Sequence, residues 1–228
     1  LTKGANLKAM ILAAGRGERM RPLTDHTPKP LLPVGEKPLI VWHLEHLAQA
    51  GFKEVVINHA HLGSQIEAAL GDGAKWGLHI QYSPEHVALE TAGGIANALE
   101  LLGSEPFLVI NGDVFTDIPF EHLVLAPSKL MHLVLIDNPP QHSQGDFVFE
   151  NEIIKLEGGS KLTFSGVGVY HPALFAEIKR GEPAKLAPIL RQAIADNKAT
   201  AEHFKGVWHD IGTPERLMAL NQQLLGLS

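Results

Sequence analysis

The chain contains no cysteine. That one absence removes disulfides, Cys-ligated zinc and a thiol nucleophile together. Positive charge is also in short supply, with 19 Lys and Arg against 25 Asp and Glu and a formal charge of −6. A protein that binds nucleic acid broadly needs a basic face to replace counterions, so none is expected as a partner. Long apolar runs are missing as well. The longest early stretch, Ala9-Met10-Ile11-Leu12-Ala13-Ala14, ends at Gly15-Arg16 and is too short for a signal-peptide core or a membrane span. The expectation is a cytoplasmic protein without a membrane partner. No repeat, low-complexity tract or linker divides the sequence. Because it opens on Leu1 rather than Met, residues 1–6 are expected to be a remnant or trimmed start and carry no fold expectation.

What is present is ordinary globular material. The 228 residues are 45% hydrophobic and 19% charged, enough to bury a core without covalent staples. The first half alternates short apolar runs with helical periods. Lys8–Ala13 reads as a buried strand ending in a glycine loop. Pro38 opens a helix with Ile40, Leu44, Leu47 and Ala48 on one face, stopped by Gly51. Strands follow at 55–57, 78–82 and 107–110, with helices at 65–70 and 91–102 between them. Such alternation predicts a mostly parallel sheet with helices on both faces. From Met131 the pattern loosens into a strand at 132–137, a hairpin over 146–156, a strand at 164–170 and helices near 172–179 and 185–197. A last strand at 207–211 precedes a helix capped by Thr213-Pro214.

The chemistry concentrates in Gly15-Arg16-Gly17-Glu18-Arg19-Met20-Arg21-Pro22 and the following Thr27-Pro28-Lys29-Pro30. In a parallel α/β sheet this loop lies beyond the carboxyl ends of the strands, where ligands bind. Glycine lets backbone N–H groups approach a phosphate. Arg16, Arg19, Arg21 and Lys29 would neutralise a triphosphate and a leaving pyrophosphate. Neither standard phosphate signature fits. A dinucleotide fingerprint would need a glycine at Met20, and the P-loop's Gly-Lys-Ser or Gly-Lys-Thr is absent. Two aspartates sit at strand ends, Asp113 after Asn111-Gly112 and Asp210 after Trp208-His209. Each alone suits a turn or a helix start; together they offer the one or two carboxylates that Mg²⁺ prefers. The 13 histidines lack the His-Glu-x-x-His order of a zinc hydrolase, and no Gly-x-Ser-x-Gly elbow supports serine hydrolysis.

The loop, with Lys29-Pro30-Leu31-Leu32-Pro33-Val34, closely resembles the signature of sugar-1-phosphate nucleotidyltransferases. The likeness continues through Leu89–Gly94, Asn111-Gly112-Asp113 and Trp208–Leu217. It implies a Rossmann-like, doubly wound α/β fold in one domain over 1–228. A nucleotide-binding half would span about 7–130, an inserted sugar-binding lobe 131–205, and the metal strand with the last helix 206–228. The length then leaves no room for the further C-terminal domains of longer family members. It also implies Mg²⁺ held by Asp113 and Asp210, with Arg19 on the β- and γ-phosphates and Lys29 at the α-phosphate.

The nucleotide would meet Leu12, Ala13, Ala14, Gly15, Gly17, Glu18, Glu90, Thr91, Gly93 and Asn111, with Gln81 and Tyr82 as further candidates near the base. Gly145, Asp146, Glu157, Ser165 and Gly166 are the expected sugar contacts. Many family members carry Glu-Lys-Pro after the hairpin; here Glu157 is followed by Gly158-Gly159-Ser160. Lys161, Lys185 or Arg191 would have to replace that lysine on the sugar phosphate. Gly145-Asp146-Phe147 and Leu162–Gly166 look most like the branch that transfers uridylyl groups from UTP to N-acetylmuramate 1-phosphate in bacterial cell-wall sugar recycling. Thymidylyl transfer to glucose 1-phosphate, guanylyl transfer to mannose 1-phosphate and a non-catalytic sugar-nucleotide sensor are the rivals. The partners are thus a nucleoside triphosphate and a sugar 1-phosphate, in a monomer or small homo-oligomer.

Overall fold

A computed structural model describes residues 7–226; the expected start segment 1–6 lies outside them. Strand β1, Lys8–Leu12, pairs in parallel with β4, Glu54–His59, on one side and with β6, Phe107–Asn111, on the other. Strand β5, His79–Pro84, extends the parallel set beyond β4. Between these strands run α1, Leu39–Gln49, α2, Gly63–Leu70, and α3, Glu90–Leu102.

Strand alternation builds the two faces. Ala9, Ile11, Val55, Ile57, Leu108 and Ile110 pack with Ile40, Leu44 and Leu47 of α1 and Ile66 of α2. Met10, Val56 and Val109 point the other way, onto Ile95 and Ala98 of α3 and Leu190 and Ile194 of α4, Leu186–Ala195. Period-2 side chains thus give a doubly wound sheet covered by helices on both sides. The fold is Rossmann-like α/β, as the sequence predicts.

Beyond β6 the sheet turns antiparallel. Strand β11, Lys161–Tyr170, runs against β6, and β8, Met131–Ile136, against β11. The far end of β11 carries the hairpin of β9, Phe147–Glu150, and β10, Ile153–Lys155. A bulge between Phe164 and Gly168 lets one strand serve both pairings, because an inserted residue bends and twists its strand. Strand β12, Ala199–Phe204, closes the edge parallel to β8. No strand is expected there from sequence, because Ala-Thr-Ala-Glu-His-Phe lacks an apolar run and only Ala199 is fully buried. The helix expected near 172–179 shrinks to a 3₁₀ turn over Pro172–Phe175.

A third cluster fixes the site. Met20, Leu32, Val34, Leu39 and Ile211 pack with Leu217 and Leu220 of α5, Pro214–Leu224. Met20 is therefore the buried anchor of the glycine loop. Short strands β2, Pro33–Val34, and β3, Lys37–Pro38, carry the chain from the loop to α1. The Thr213 hydroxyl accepts the Arg216 N–H at the start of α5, the expected cap.

Candidate active site

A cleft of about 860 Å³ opens at the carboxyl ends of β1, β4, β5 and β6. Leu12 through Met20 form one wall, and Ala88 to Thr91 belong to the other. Gly15 has no atom within 4 Å of a would-be Cβ, so its backbone faces open space. Gly17 adopts φ +67 and a Cβ there would meet Thr24 Cγ2 at 2.9 Å, so its glycine serves the turn. Three of the four expected cations, Arg16, Arg19 and Lys29, line the cleft. The fourth does not: Arg21 pairs with Asp25, four residues on, at 3.2 Å.

Asp113 lines the cleft, and Asp210 stands outside the lining on a strand paired beside it. Gly112 N–H donates to Leu12 O at 2.9 Å, and a Cβ at Gly112 would sit 2.5 Å from that oxygen. This tight crossing turns the chain from β6 into Asp113 and β7, Val114–Thr116. Strand β13, Trp208–Asp210, pairs antiparallel with β7, setting Asp210 opposite Val114. Ile211 N–H donates to Asp113 O at 2.9 Å. Both carboxylates carry a cation: Lys29 Nζ donates to Asp113 Oδ2 at 2.8 Å, and Arg216 holds Asp210. Asp117, in contrast, accepts Val207 N–H at 2.6 Å and braces the turn into β13.

Among the described residues no three His, Asp or Glu side chains are grouped so as to hold a metal ion by themselves. Two carboxylates at adjacent strand ends nonetheless suit Mg²⁺, which takes one or two from protein and completes its shell with substrate oxygens and water. They do not suit a structural zinc, which needs four protein ligands.

Leu12, Ala13, Ala14, Glu18, Glu90, Thr91 and Asn111 all line the cleft. Gly93 is turned elsewhere; its Cβ would lie 2.5 Å from Glu182 O, so close packing on the 182–184 segment accounts for it. Tyr82 is also directed away, its hydroxyl donating to Gly71 O at 2.6 Å and pushed up to about 12 by burial. Gln81 likewise stands outside the lining.

The expected sugar contacts are absent from the cleft lining and are tied into the fold. Asp146 Oδ2 accepts Phe164 N–H at 2.8 Å, and Oδ1 lies 3.1 Å from His142 Nε2. Ser165 Oγ accepts Val167 N–H at 3.1 Å inside the bulge. Gly166 packs on the Asn111 side chain, and Gly145 on Asn138 and Lys161. Glu157 is exposed on a bend beyond β10. The candidate sugar-phosphate cations Lys161, Lys185 and Arg191 also stand outside the lining.

Three residues not singled out from sequence also shape the site. Asn58 and Glu85 lie buried on the cleft floor. Asn58 could have been found, since a polar residue at the carboxyl end of a buried parallel strand stands where ligands bind. Glu85 and Arg216 carry no such signal.

Comparison with known proteins identifies the family. A family described as Nucleotidyl transferase matches residues 8–226. The chain is 57% identical over 220 residues to an N-acetylmuramate alpha-1-phosphate uridylyltransferase from Neisseria meningitidis, covering 92% of this chain and 95% of that one. It is 31% identical to a mannose-1-phosphate guanyltransferase beta-A from Xenopus laevis, covering 92% of this chain but only 62% of that protein. A Bacillus anthracis protein named for glucose-1-phosphate thymidylyl transfer and crystallised with sucrose superposes with TM-score 0.82. That match is at 24% identity over 95% and 94% of the two chains, and shows the shared fold. The glycine-loop cleft and its matches together make this chain a member of the nucleotidyl transferase family.

Proposed function

We propose that the protein transfers a uridylyl group from UTP to N-acetylmuramate 1-phosphate, releasing pyrophosphate. The carrying observation is the Lys29–Asp113 pair in a glycine-loop cleft, with the strand that ends in Asp210 paired beside Asp113's own. The substrate pair comes from the name of the Neisseria relative, whose identity extends over nearly its whole length.

The base lies between the Leu12–Ala14 backbone and the 88–91 wall, with the phosphates along Gly15 to Arg19. A phosphate oxygen of the sugar phosphate forms a bond to the α-phosphorus, and the bond from that phosphorus to the bridging β-phosphate oxygen breaks. Pyrophosphate leaves with the electron pair. The attacking phosphate is already an anion at neutral pH, so no protein base is needed. Catalysis is then positioning and charge neutralisation. Arg19 holds the β- and γ-phosphates, and Lys29 meets the charge growing at the α-phosphate. Bound Mg²⁺, held by Asp113 and Asp210, would supply further charge neutralisation at the phosphates. The sugar is assigned to the side of the 131–205 lobe, with Gly145, Asp146, Glu157, Ser165 and Gly166 shaping it. The reading takes the enzyme as a monomer or small homo-oligomer acting in the cytoplasm.

The test is pyrophosphate release with Mg²⁺ across three pairs: UTP with N-acetylmuramate 1-phosphate, GTP with mannose 1-phosphate, and dTTP with glucose 1-phosphate. The first pair should be fastest. A faster second or third pair overturns the specificity, and nucleotide binding without Mg²⁺-dependent turnover returns the sensor reading.

A further inference from the structure

The floor of the cleft holds a short chain of hydrogen bonds that no step above uses. Ala13 N–H donates to Asn58 Oδ1 at 2.9 Å, and Asn58 Nδ2 donates to Glu85 Oε1 at 2.7 Å. Leu89 N–H donates to the other oxygen, Glu85 Oε2, at 3.2 Å. Ala13 belongs to the glycine-loop wall and Leu89 to the facing wall. From this we infer that Asn58 and Glu85 are positioning residues, a relay that fixes the separation of the two walls and thereby the fit of the nucleotide base. The inference rests on the nucleotide reading of the cleft.

Several independent features support a dedicated device. The relay follows the sheet register, because Leu12 pairs with Asn58 and Asn58 with Ser83 across three adjacent parallel strands. It spans the carboxyl edge at the place where the cleft is built. Asn58 is 3% exposed and Glu85 8%, and no cation is within salt-bridge reach of Glu85 among the described residues. Burying a carboxylate without a cation is costly, a penalty that simple packing would not incur. Burial accordingly pushes the Glu85 carboxyl up. Helix α3 also clamps the pair: a Cβ at Gly94 would lie 2.6 Å from Glu85 Oε1 and 2.9 Å from Asn58 Nδ2.

The relay has a fixed polarity. Residue 58 must accept once and donate once, and residue 85 must accept twice. Glu85→Gln therefore sets one amide N–H against another donor, whichever way the new side chain turns. Asn58→Asp sets two carboxylates face to face. Combining the two substitutions restores every bond, with the central one reversed. The new amide at position 85 would donate to the new carboxylate at position 58. That carboxylate would still accept from Ala13 N–H, and the amide oxygen at position 85 would accept from Leu89 N–H.

The experiment compares these three variants with wild type by UTP kinetics and by hydrogen exchange of the Ala13 and Leu89 amides. Each single variant should raise KM for UTP about tenfold, the loss of one charge-assisted hydrogen bond, and by more than it lowers kcat. KM for the sugar phosphate should stay within about twofold, and both amides should exchange faster. The double variant should return KM and protection toward wild type. Single variants with unchanged KM, or a folded double variant no better than the singles, overturn the relay. If a single variant does not fold, the double variant decides alone by the same two readouts. A wild-type protein inactive with UTP would sink the proposed function, while amide exchange in the variants would still decide the relay.

Discussion

The parallel half and the antiparallel lobe use the same residue types for opposite ends. In the parallel half Gly15 faces open space and Asp113 faces the cleft with Lys29 on its carboxylate. In the lobe Gly145 is wedged between Asn138 and Lys161, and both oxygens of Asp146 are engaged within the protein. A glycine or an aspartate is therefore not a site in itself. What separates the regions is whether the surrounding backbone leaves the group a vacant direction. At the carboxyl ends of parallel strands the helices diverge and leave one; in a hairpin pinned to a bulged strand, neighbouring backbone takes it.

The largest expected effect tests the parallel half directly. Lys29→Ala and Asp113→Ala should each lower kcat for pyrophosphate release by roughly two to three orders of magnitude, the usual loss for a preorganised charge at a transition state. Thermal unfolding should show both folded. A wild-type rate from Lys29→Ala would remove it from the mechanism, and an equal loss from Asp146→Ala would erase the contrast between the regions.

A second break concerns acid. His43 on α1 is buried, and its Nε2 has no hydrogen-bond partner among the described residues. Burial first, then the neighbouring His46, lowers it from 6.5 to about 4. Between these values the unfolded chain takes up a proton that the fold refuses. Stability therefore falls as pH drops through that window, by about 3 kcal/mol in all. Denaturant titrations from pH 7 to 4 should show this slope, and His43→Leu should flatten it. An unchanged slope would place the acid sensitivity elsewhere.

Legibility from sequence follows the same division. Apolar runs and glycine stops mark β1, β4, β6 and α1 because buried parallel strands and amphipathic helices impose strong periods. Strand β12 lacks such a period, because an edge strand with five partly buried residues can be polar. The extension of β11 back to Lys161 leaves no trace in the sequence because it depends on the bulge at Ser165 and Gly166. In the site, the loop and Asp113 are legible as local patterns. Arg21 falls in with the phosphate cations because spacing does not reveal its Asp25 partner. Glu85 escapes notice because its side-chain partner Asn58 lies 27 residues away.

A paired glycine test is next in size. Gly145→Ala should cost about 2 kcal/mol, since φ +61 and a Cβ 2.7 Å from Asn138 Oδ1 leave no strain-free alternative. Gly15→Ala should change stability by less than about 0.5 kcal/mol yet raise KM for UTP, because its methyl would occupy the approach of a phosphate. Urea unfolding and UTP titration separate the two. If Gly15→Ala binds UTP normally, the loop does not approach its ligand as closely as proposed.

The smallest expected effect sharpens the lobe itself. Asp146→Asn keeps the shape of the side chain and one acceptor oxygen. That oxygen can still receive Phe164 N–H, while the new amide faces His142. If Asp146 only braces the junction of β9 with β11, the variant should lose about 1 kcal/mol of stability, with KM for the sugar phosphate unchanged. If it reaches the sugar, as proposed, KM for the sugar phosphate should rise severalfold while KM for UTP stays put. The ratio of the two KM values is the deciding quantity. A general loosening of the fold would move both, whereas a lost contact to one substrate moves only one. A changed ratio in Asp146→Asn would thus keep this residue in the sugar pocket as proposed, and an unchanged one would confine it to the framework of the lobe.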